Sequence, residues 1–414
     1  MVLQAGPSRG GAMSTQLRSS LLTQDRFARA AWSRVAEPGD QLAHRLIRSY
    51  GPVAALQIAA SGAEQGLDRF LPRLEVLDVD RDLEIAARFG ARVLCLGDPE
   101  WPAGLDDLTA PPYCLWVRGP ADLALSCERS AAVVGARSAT GYGQMVATQI
   151  AAGLGERRFT VISGAAFGID AAAHRGALAA GAITIAVLAG GVERPYPWSH
   201  AALITRIAHE GAVVSEVAPG SAPTKVRFLQ RNRMIATMGR GTVVVEAGLR
   251  SGSLNTARTA AEHGRVVAAV PGPVTSLMSA GCHEAIRSGM AQLVTDAAEA
   301  AELIGDYGID LAPARRGPTF LEDELDEHAS RVLSALPLGR GVPVVRLAVL
   351  CGLSVAEVRS VLERLDLGHL AERHGEAWRK GPAVRKARID NHGRSAAEVA
   401  ASTARSLAGE TGHV

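Results

Sequence analysis

The residues of this chain best suited to chemistry cluster in one stretch, 225–233, which reads KVRFLQRNR. Lys225, Arg227, Arg231 and Arg233 alternate there with the ring of Phe228 and the amides of Gln230 and Asn232. Cations interleaved with a ring suit a single-stranded nucleic acid, whose phosphates meet arginine and lysine while a base stacks for about 1–3 kcal/mol. A second stretch, 131–143, reads AAVVGARSATGYG: an apolar run breaks at Gly135, passes Arg137 and restarts at Gly141 as a helix. A buried strand feeding such a turn onto a helix N-terminus presents free N–H groups and a positive dipole end to an anion. Arg137 adds a charge able to grip a phosphate bidentately. The spacing matches neither the dinucleotide fingerprint nor the P-loop. Two turns of the same make follow, one opening at Ser163 (SGAAFGID) and one at Arg250 (RSGSLNT), where Ser251 offers a hydroxyl and Ser253 a helix cap. Several such turns suit a polyphosphate chain better than a mononucleotide.

Other combinations invite catalytic readings. Asp170 and His174 lie four apart on one helical face. With no third ligand and no nucleophile elbow nearby, the expectation is that Asp170 caps its helix and pairs with His174 to brace the turn. Glu246, ending a strand, is read as orienting an arginine across the cleft, and Pro195-Tyr196-Pro197 as a rigid packed corner.

These turns need a scaffold that brings strand ends together. Strands are expected at 131–134, 160–163, 183–188, 212–215, 242–246 and 266–269. Helices are expected between and after them at 143–154, 171–180, 199–207, 231–238, 254–263 and 283–288. Near-continuous Val, Ile and Ala strands separated by helices specify a parallel sheet covered on both faces. The fold class is α/β, a doubly wound, mostly parallel Rossmann-like sheet with ligands at the C-terminal strand ends. Strand-like runs at 92–96 and 113–118 read as an entry segment wrapping onto it.

The flanks read differently. Residues 1–20 form a tail expected to be disordered, and 21–83 a small helical module of SAM-like or helix-hairpin-helix kind, broken at Tyr50-Gly51-Pro52 and read as a packing or docking element. The Rossmann-like domain is assigned to 84–305, a linker to 306–327, a winged-helix module to 328–381 and a disordered tail to 382–414. Met1 and Met13 are both possible starts.

Composition bounds the function. At 414 residues several domains are expected, and 47% hydrophobic residues allow large cores. A net charge of +2 leaves any basic surface local. Five cysteines without a C-x-x-C pair suit a reducing cytoplasm and speak against a cysteine zinc site. No membrane span or signal peptide is expected, and neither a cofactor nor a metal is called for.

VGARSATGYG, SGAAFGIDAAAH, RFLQRNRMIA, VVVEAGLRSGSLNTA and AVPGPV, in this order, resemble the DprA/Smf family of DNA-processing proteins over roughly residues 90 to 300. The resemblance implies a non-catalytic role. Such a protein binds single-stranded DNA, dimerises, and loads a RecA-type recombinase onto strands covered by single-strand binding protein during natural transformation and recombination. Carried over motif by motif, the DNA-binding positions are Gly135, Arg137, Ser163, Lys225, Phe228, Arg231, Asn232, Arg233 and Ser251. The chain departs from the family pattern at Phe167 and at Gly281-Cys282-His283. Two rivals are weighed. A lysine-decarboxylase-like nucleotide phosphoribohydrolase would need a P-G-G-x-G-T-x-x-E run, which 244–255 lacks. A winged-helix regulator would need a more cationic recognition helix than 355–365, which carries Glu357, Arg359, Glu363 and Arg364.

Overall fold

The computed structural model describes residues 15–62, 65–314 and 325–384. Those residues fall into two compact units divided between Pro313 and Ala314. The first begins with helices α1 (Thr15–Val35), α2 (Gln41–Ser61), α3 (Leu71–Leu74) and α4 (Val79–Arg88). Strands β1 (Ala91–Leu94) and β2 (Leu115–Arg118), then α5 (Leu123–Glu128), lead into the alternating part. That part runs β3 (Ser130–Val134), α6 (Gly141–Glu156), β4 (Thr160–Ser163), α7 (Ile169–Ala179), β5 (Thr184–Val187), α8 (Ala201–Glu210) and β6 (Ala212–Ser215). It continues with α9 (Lys225–Met238), β7 (Gly241–Val244), α10 (Gly252–Glu262), β8 (Val266–Ala269), α11 (Ala280–Arg287), β9 (Gln292–Leu293) and α12 (Ala297–Ile304).

All nine strands share one sheet, in the order β1-β2-β6-β5-β4-β3-β7-β8-β9. From β3 onward every pairing is parallel, whereas β1 and β2 add antiparallel to the β6 side. The segment expected merely to wrap onto the domain is thus part of its sheet. Side chains alternate between two cores, as a strand's period of two requires. Ala131 and Val133 face α6, α7 and α12, while Ala132 and Val134 face α9, α10 and α11. The chain steps one way from β3 through β4 and β5 to β6, then crosses over by α9 to β7 on the other side of β3. That reversal makes the β3/β7 boundary the topological switch point, where open α/β sheets form a crevice at the carboxyl ends of the strands.

The N-terminal helices pack onto the β2 side of the sheet. Ala30, Ala31, Val79 and Ala86 join Trp116 and Val213 in one core, and the Trp116 indole donates to Ser33 Oγ at 3.1 Å. A further core centres on Trp32, edge-on to Phe70 at 5.6 Å and donating to the Pro52 carbonyl at 3.0 Å. α2 is kinked at Gly51, whose φ is 76°. α1 starts at Thr15, inside the segment expected as a tail, because its helix extends upstream of Gln24.

The second unit contains α13 (Glu327–Ala335), β10 (Val342–Pro343), α14 (Val344–Cys351), α15 (Val355–Leu367), β11 (Ala371–His374) and β12 (Ala377–Lys380). Its three strands order as β10-β12-β11 over a core that includes Val332, Leu347, Val358 and Leu362. Ser354 and Glu357 close a capping box at the start of α15. The expected N-terminal tail up to residue 14, linker residues 315–324 and the tail from 385 lie outside the described residues.

Candidate functional site

An open cleft of about 800 Å³ sits at the switch point, lined by the turn after β3, the first turns of α9 and the turn after β7. The first turn is held by a buried carboxylate. Glu246, 1% exposed, accepts the Thr140 backbone N–H at 2.9 Å and the Thr140 hydroxyl at 2.6 Å. Thr140 in turn caps α6 through the Gly143 N–H at 3.1 Å. Glu246 therefore fixes the turn that presents Arg137 and Ser138, and among the described residues its partner is Thr140 in place of the expected arginine.

The turn after β4 braces the cleft from below. Asp170 accepts the Gly164 and Ala166 N–H groups at 3.2 and 3.4 Å. Burial raises its carboxyl pKa, against the pull of the nearby Arg231 charge. His174 does not pair with it. The Nδ1 of His174 meets Thr184 Oγ1 at 2.7 Å, and complete burial lowers the imidazole pKa to about 3. The expected Asp170–His174 brace is replaced by two separate contacts, since Thr184 reaches the ring from β5. Gly168, at φ 77°, leaves no room for a Cβ beside the Ala136 carbonyl.

α9 begins at Lys225, capped by Thr224, so the basic run occupies its first two and a half turns, upstream of the expected start at 231. With successive residues about 100° apart, its charged side chains separate onto two faces. Lys225, Phe228, Arg231 and Asn232 line the cleft. The Arg137 guanidinium lies over the Phe228 ring at 4.7 Å and that of Arg231 at 5.9 Å, close enough for cation–π attraction. Tyr196 meets the same ring at 5.6 Å. Arg231 is 4% exposed and donates to the Val187 carbonyl at 3.0 Å, while its Nε has no partner. Burial lowers its pKa to about 10, which leaves it charged at neutral pH. A Cβ on Gly164 would fall onto this guanidinium, so the glycine makes the space it occupies.

The opposite face is engaged by the protein itself. Arg227 pairs with Glu37 at 2.9 Å, Gln230 donates to the Pro38 carbonyl at 2.6 Å, and Arg233 donates to the Ala110 carbonyl at 2.6 Å and pairs with buried Glu216. The third side of the cleft is the α10 N-terminus. Ser251 caps it through the Ser253 N–H, the role expected of Ser253, and Arg250 stands exposed beside it. Four cations (Arg137, Lys225, Arg231, Arg250) line the cleft with a single carboxylate, Asp170. Such a site concentrates an anion.

A family model described as DNA recombination-mediator protein A matches residues 92–305. The chain belongs to that family. It is 45% identical over 366 residues to a Mycobacterium tuberculosis protein bearing the DNA processing protein DprA name, covering 84% of this chain and 93% of that one. The X-ray structure of DNA processing protein A from Streptococcus pneumoniae superposes with a TM-score of 0.58 at 30% identity, covering 69% of this chain and 99% of that one. A Helicobacter pylori DprA structure, described for its single-stranded DNA binding mode, aligns with a TM-score of 0.46 at 27% identity over 50% of this chain and 93% of its own.

In this recombination-mediator family member, seven of the nine positions carried over by motif line one cleft: Gly135, Arg137, Lys225, Phe228, Arg231, Asn232 and Ser251. Two do not. Ser163 is fully buried and donates to the Val133 carbonyl at 2.7 Å, tying β4 to β3. Arg233 is turned away and consumed by Glu216 and Ala110. The cleft gains Arg250, Ser138 and Tyr196. Arg250 carried a signal, as a cation one residue before a helix cap. Tyr196 is not a packed corner, being 49% exposed and against Phe228. Among the described residues, no group of three or more His, Cys, Asp or Glu is placed to hold a metal ion, and no helix is long and apolar enough to cross a membrane.

Proposed function

We propose that the cleft grips the backbone of single-stranded DNA and that the chain mediates recombination by holding a strand, without catalysing a reaction on it. The observation that carries this reading is the stack at the cleft centre, with Arg137 over Phe228 and the Arg231 charge against the same ring. Cation and ring together answer the two features that every nucleotide of a single strand repeats, a phosphate and an aromatic face. The hydrolase alternative has less to work with, since Thr140 engages both Glu246 oxygens and turn amides engage Asp170.

The DprA/Smf resemblance supports the remainder of the reading. The chain acts in the cytoplasm as a homodimer, protects incoming DNA during natural transformation and recombination, and loads a RecA-type recombinase onto strands covered by single-strand binding protein. Residues 84–305 form the DNA-binding domain, with 306–327 as a linker. Residues 21–83 form a SAM-like module and 328–381 a winged helix. α15 serves a protein partner better than duplex DNA, since its Arg364 is paired with Asp326 at 2.8 Å.

Fluorescence anisotropy with labelled single- and double-stranded oligonucleotides tests the proposal. Single strands are expected to bind more tightly, without marked sequence preference, and to weaken steeply with salt. Equal or tighter duplex binding would overturn it. Turnover of AMP-like nucleotides would favour the hydrolase.

A further inference from the structure

We infer that a strand leaving the cleft lays its bases on a second, aromatic platform made by Tyr196, Trp198 and Phe167, an inference that rests on the cleft reading above. Trp198 is 78% exposed, and Tyr196 and Phe167 are each 49% exposed. The chain treats its other indoles differently: Trp32, Trp101 and Trp116 are buried and Trp378 is half-buried. Large rings left in water on neighbouring loops mark a surface that something covers.

The platform is built rather than loose. Trp198 sits in the turn that enters α8, one residue after Pro197 and two before His200. His200, 7% exposed, donates from Nδ1 to the Ala165 carbonyl at 3.0 Å and meets the Phe167 ring edge-on at 4.8 Å. The loops after β4 and β5 are therefore clamped to each other, with Trp198 at their outer surface. Tyr196 belongs to both surfaces, since it lines the cleft and touches Phe228. One loop thus carries Tyr196 against Phe228 in the cleft, Trp198 two residues on, and His200 against Phe167 two residues further. That order, beginning inside the cleft, identifies the occupant. A strand whose phosphates are held at Arg137 and Arg231 must lead its next bases past Tyr196, and bases stack on rings regardless of their identity.

Intrinsic fluorescence and a base-free ligand test this together. Trp198→Ala, an exposed change that leaves the fold intact, is titrated with oligothymidylates of about four and about twelve nucleotides and with an abasic strand of the longer length. The expected result is about tenfold weaker binding of the long strand, with less than about twofold change for the short and abasic strands. Long-strand binding also quenches wild-type fluorescence, and Trp198→Phe removes that quench. Wild-type affinity in Trp198→Ala, or an equal loss on the abasic strand, overturns the platform and leaves the cleft reading standing. Failure of the wild-type chain to bind any strand overturns the cleft reading and the platform with it. Quenching of Trp198 by a protein partner while long strands leave it unchanged assigns the surface to that partner instead.

Discussion

Arg231 and Arg233 lie two residues apart on α9 and do opposite things. Arg231 borders the cleft with its Nε unmet, stacked near Phe228 and held by one carbonyl. Arg233 points the other way and spends both terminal nitrogens inside the protein, on Glu216 and the Ala110 carbonyl. The same division separates Lys225 and Asn232 from Arg227 and Gln230. Composition marks the whole helix as a nucleic-acid surface, yet only the face that lines the cleft is available to a ligand. The other face is an internal joint between α9 and the segment around Glu37, Pro38 and Ala110.

If the two faces are as different as this, substitutions on them should fail in different assays. The largest effect is expected for Arg233→Ala, which strands the buried Glu216 carboxylate. Denaturant midpoints should show a loss of about 3–5 kcal/mol, while the molecules that remain folded keep their affinity for single strands within about twofold. A large loss of affinity with unchanged stability would erase the distinction. Next comes the pair Arg137→Ala and Lys225→Ala on the cleft side. Single-strand affinity is expected to fall about 100-fold at low salt, and the slope of log K against log salt to shrink by about 1.4, at about 0.7 per phosphate contact. Stability should fall by no more than about 1 kcal/mol, because among the described residues neither side chain forms an ion pair and Arg137 gives up only its contact with Phe228. Gly164→Ala is subtler. Its new methyl displaces the Arg231 guanidinium, and about tenfold weaker binding is expected with a stability loss of about 1–3 kcal/mol.

Mild acid is expected to act on stability and to leave affinity alone. On the joint side, His44 stacks on Tyr113 at 4.5 Å, and burial, with a further contribution from the Arg233 charge, lowers its pKa to about 4. A neutral buried imidazole favours the folded state fully above the unfolded pKa near 6.5. That contribution declines as pH falls from there towards 4, by up to about 1.4 kcal/mol per pH unit. His174, lowered to about 3, adds a similar slope. His44→Phe should preserve the stack and remove one histidine's share, measurable as flatter denaturant midpoints between pH 7 and pH 5. No histidine lines the cleft, so affinity for DNA should not follow the same curve.

The alternation of strands and helices was legible because β3 to β7 are buried along their whole length and written in Val, Ala and Ile, a pattern that few other arrangements accommodate. The turns were legible for a similar reason, since glycine, arginine and hydroxyl residues cluster where strands end. The start of α9 was not. Its first turns carry charges instead of an apolar stripe, so hydrophobic periodicity appears only from Arg231 onward. The fate of each cation was less legible still, because it depends on residues remote in sequence. Glu37 lies 190 positions from Arg227. Ser163 shows the same limit at close quarters, where a hydroxyl at a phosphate-type turn is used by the carbonyl of the neighbouring strand. The antiparallel addition of β1 and β2 likewise depends on the β6 edge, which no local pattern reveals.

The joint on the far side of α9 has a mechanical meaning as well. A helix lying across a sheet can roll about its own axis, and each residue of slippage would swing Phe228 by about 100°. Arg227, Gln230 and Arg233, keyed into Glu37, Pro38, Ala110 and Glu216, hold that angle. The N-terminal segment thus acts as an alignment pin for a surface it never touches. A one-residue insertion between Thr224 and Phe228 would force a choice between keeping the pin engaged and keeping the ring under Arg137.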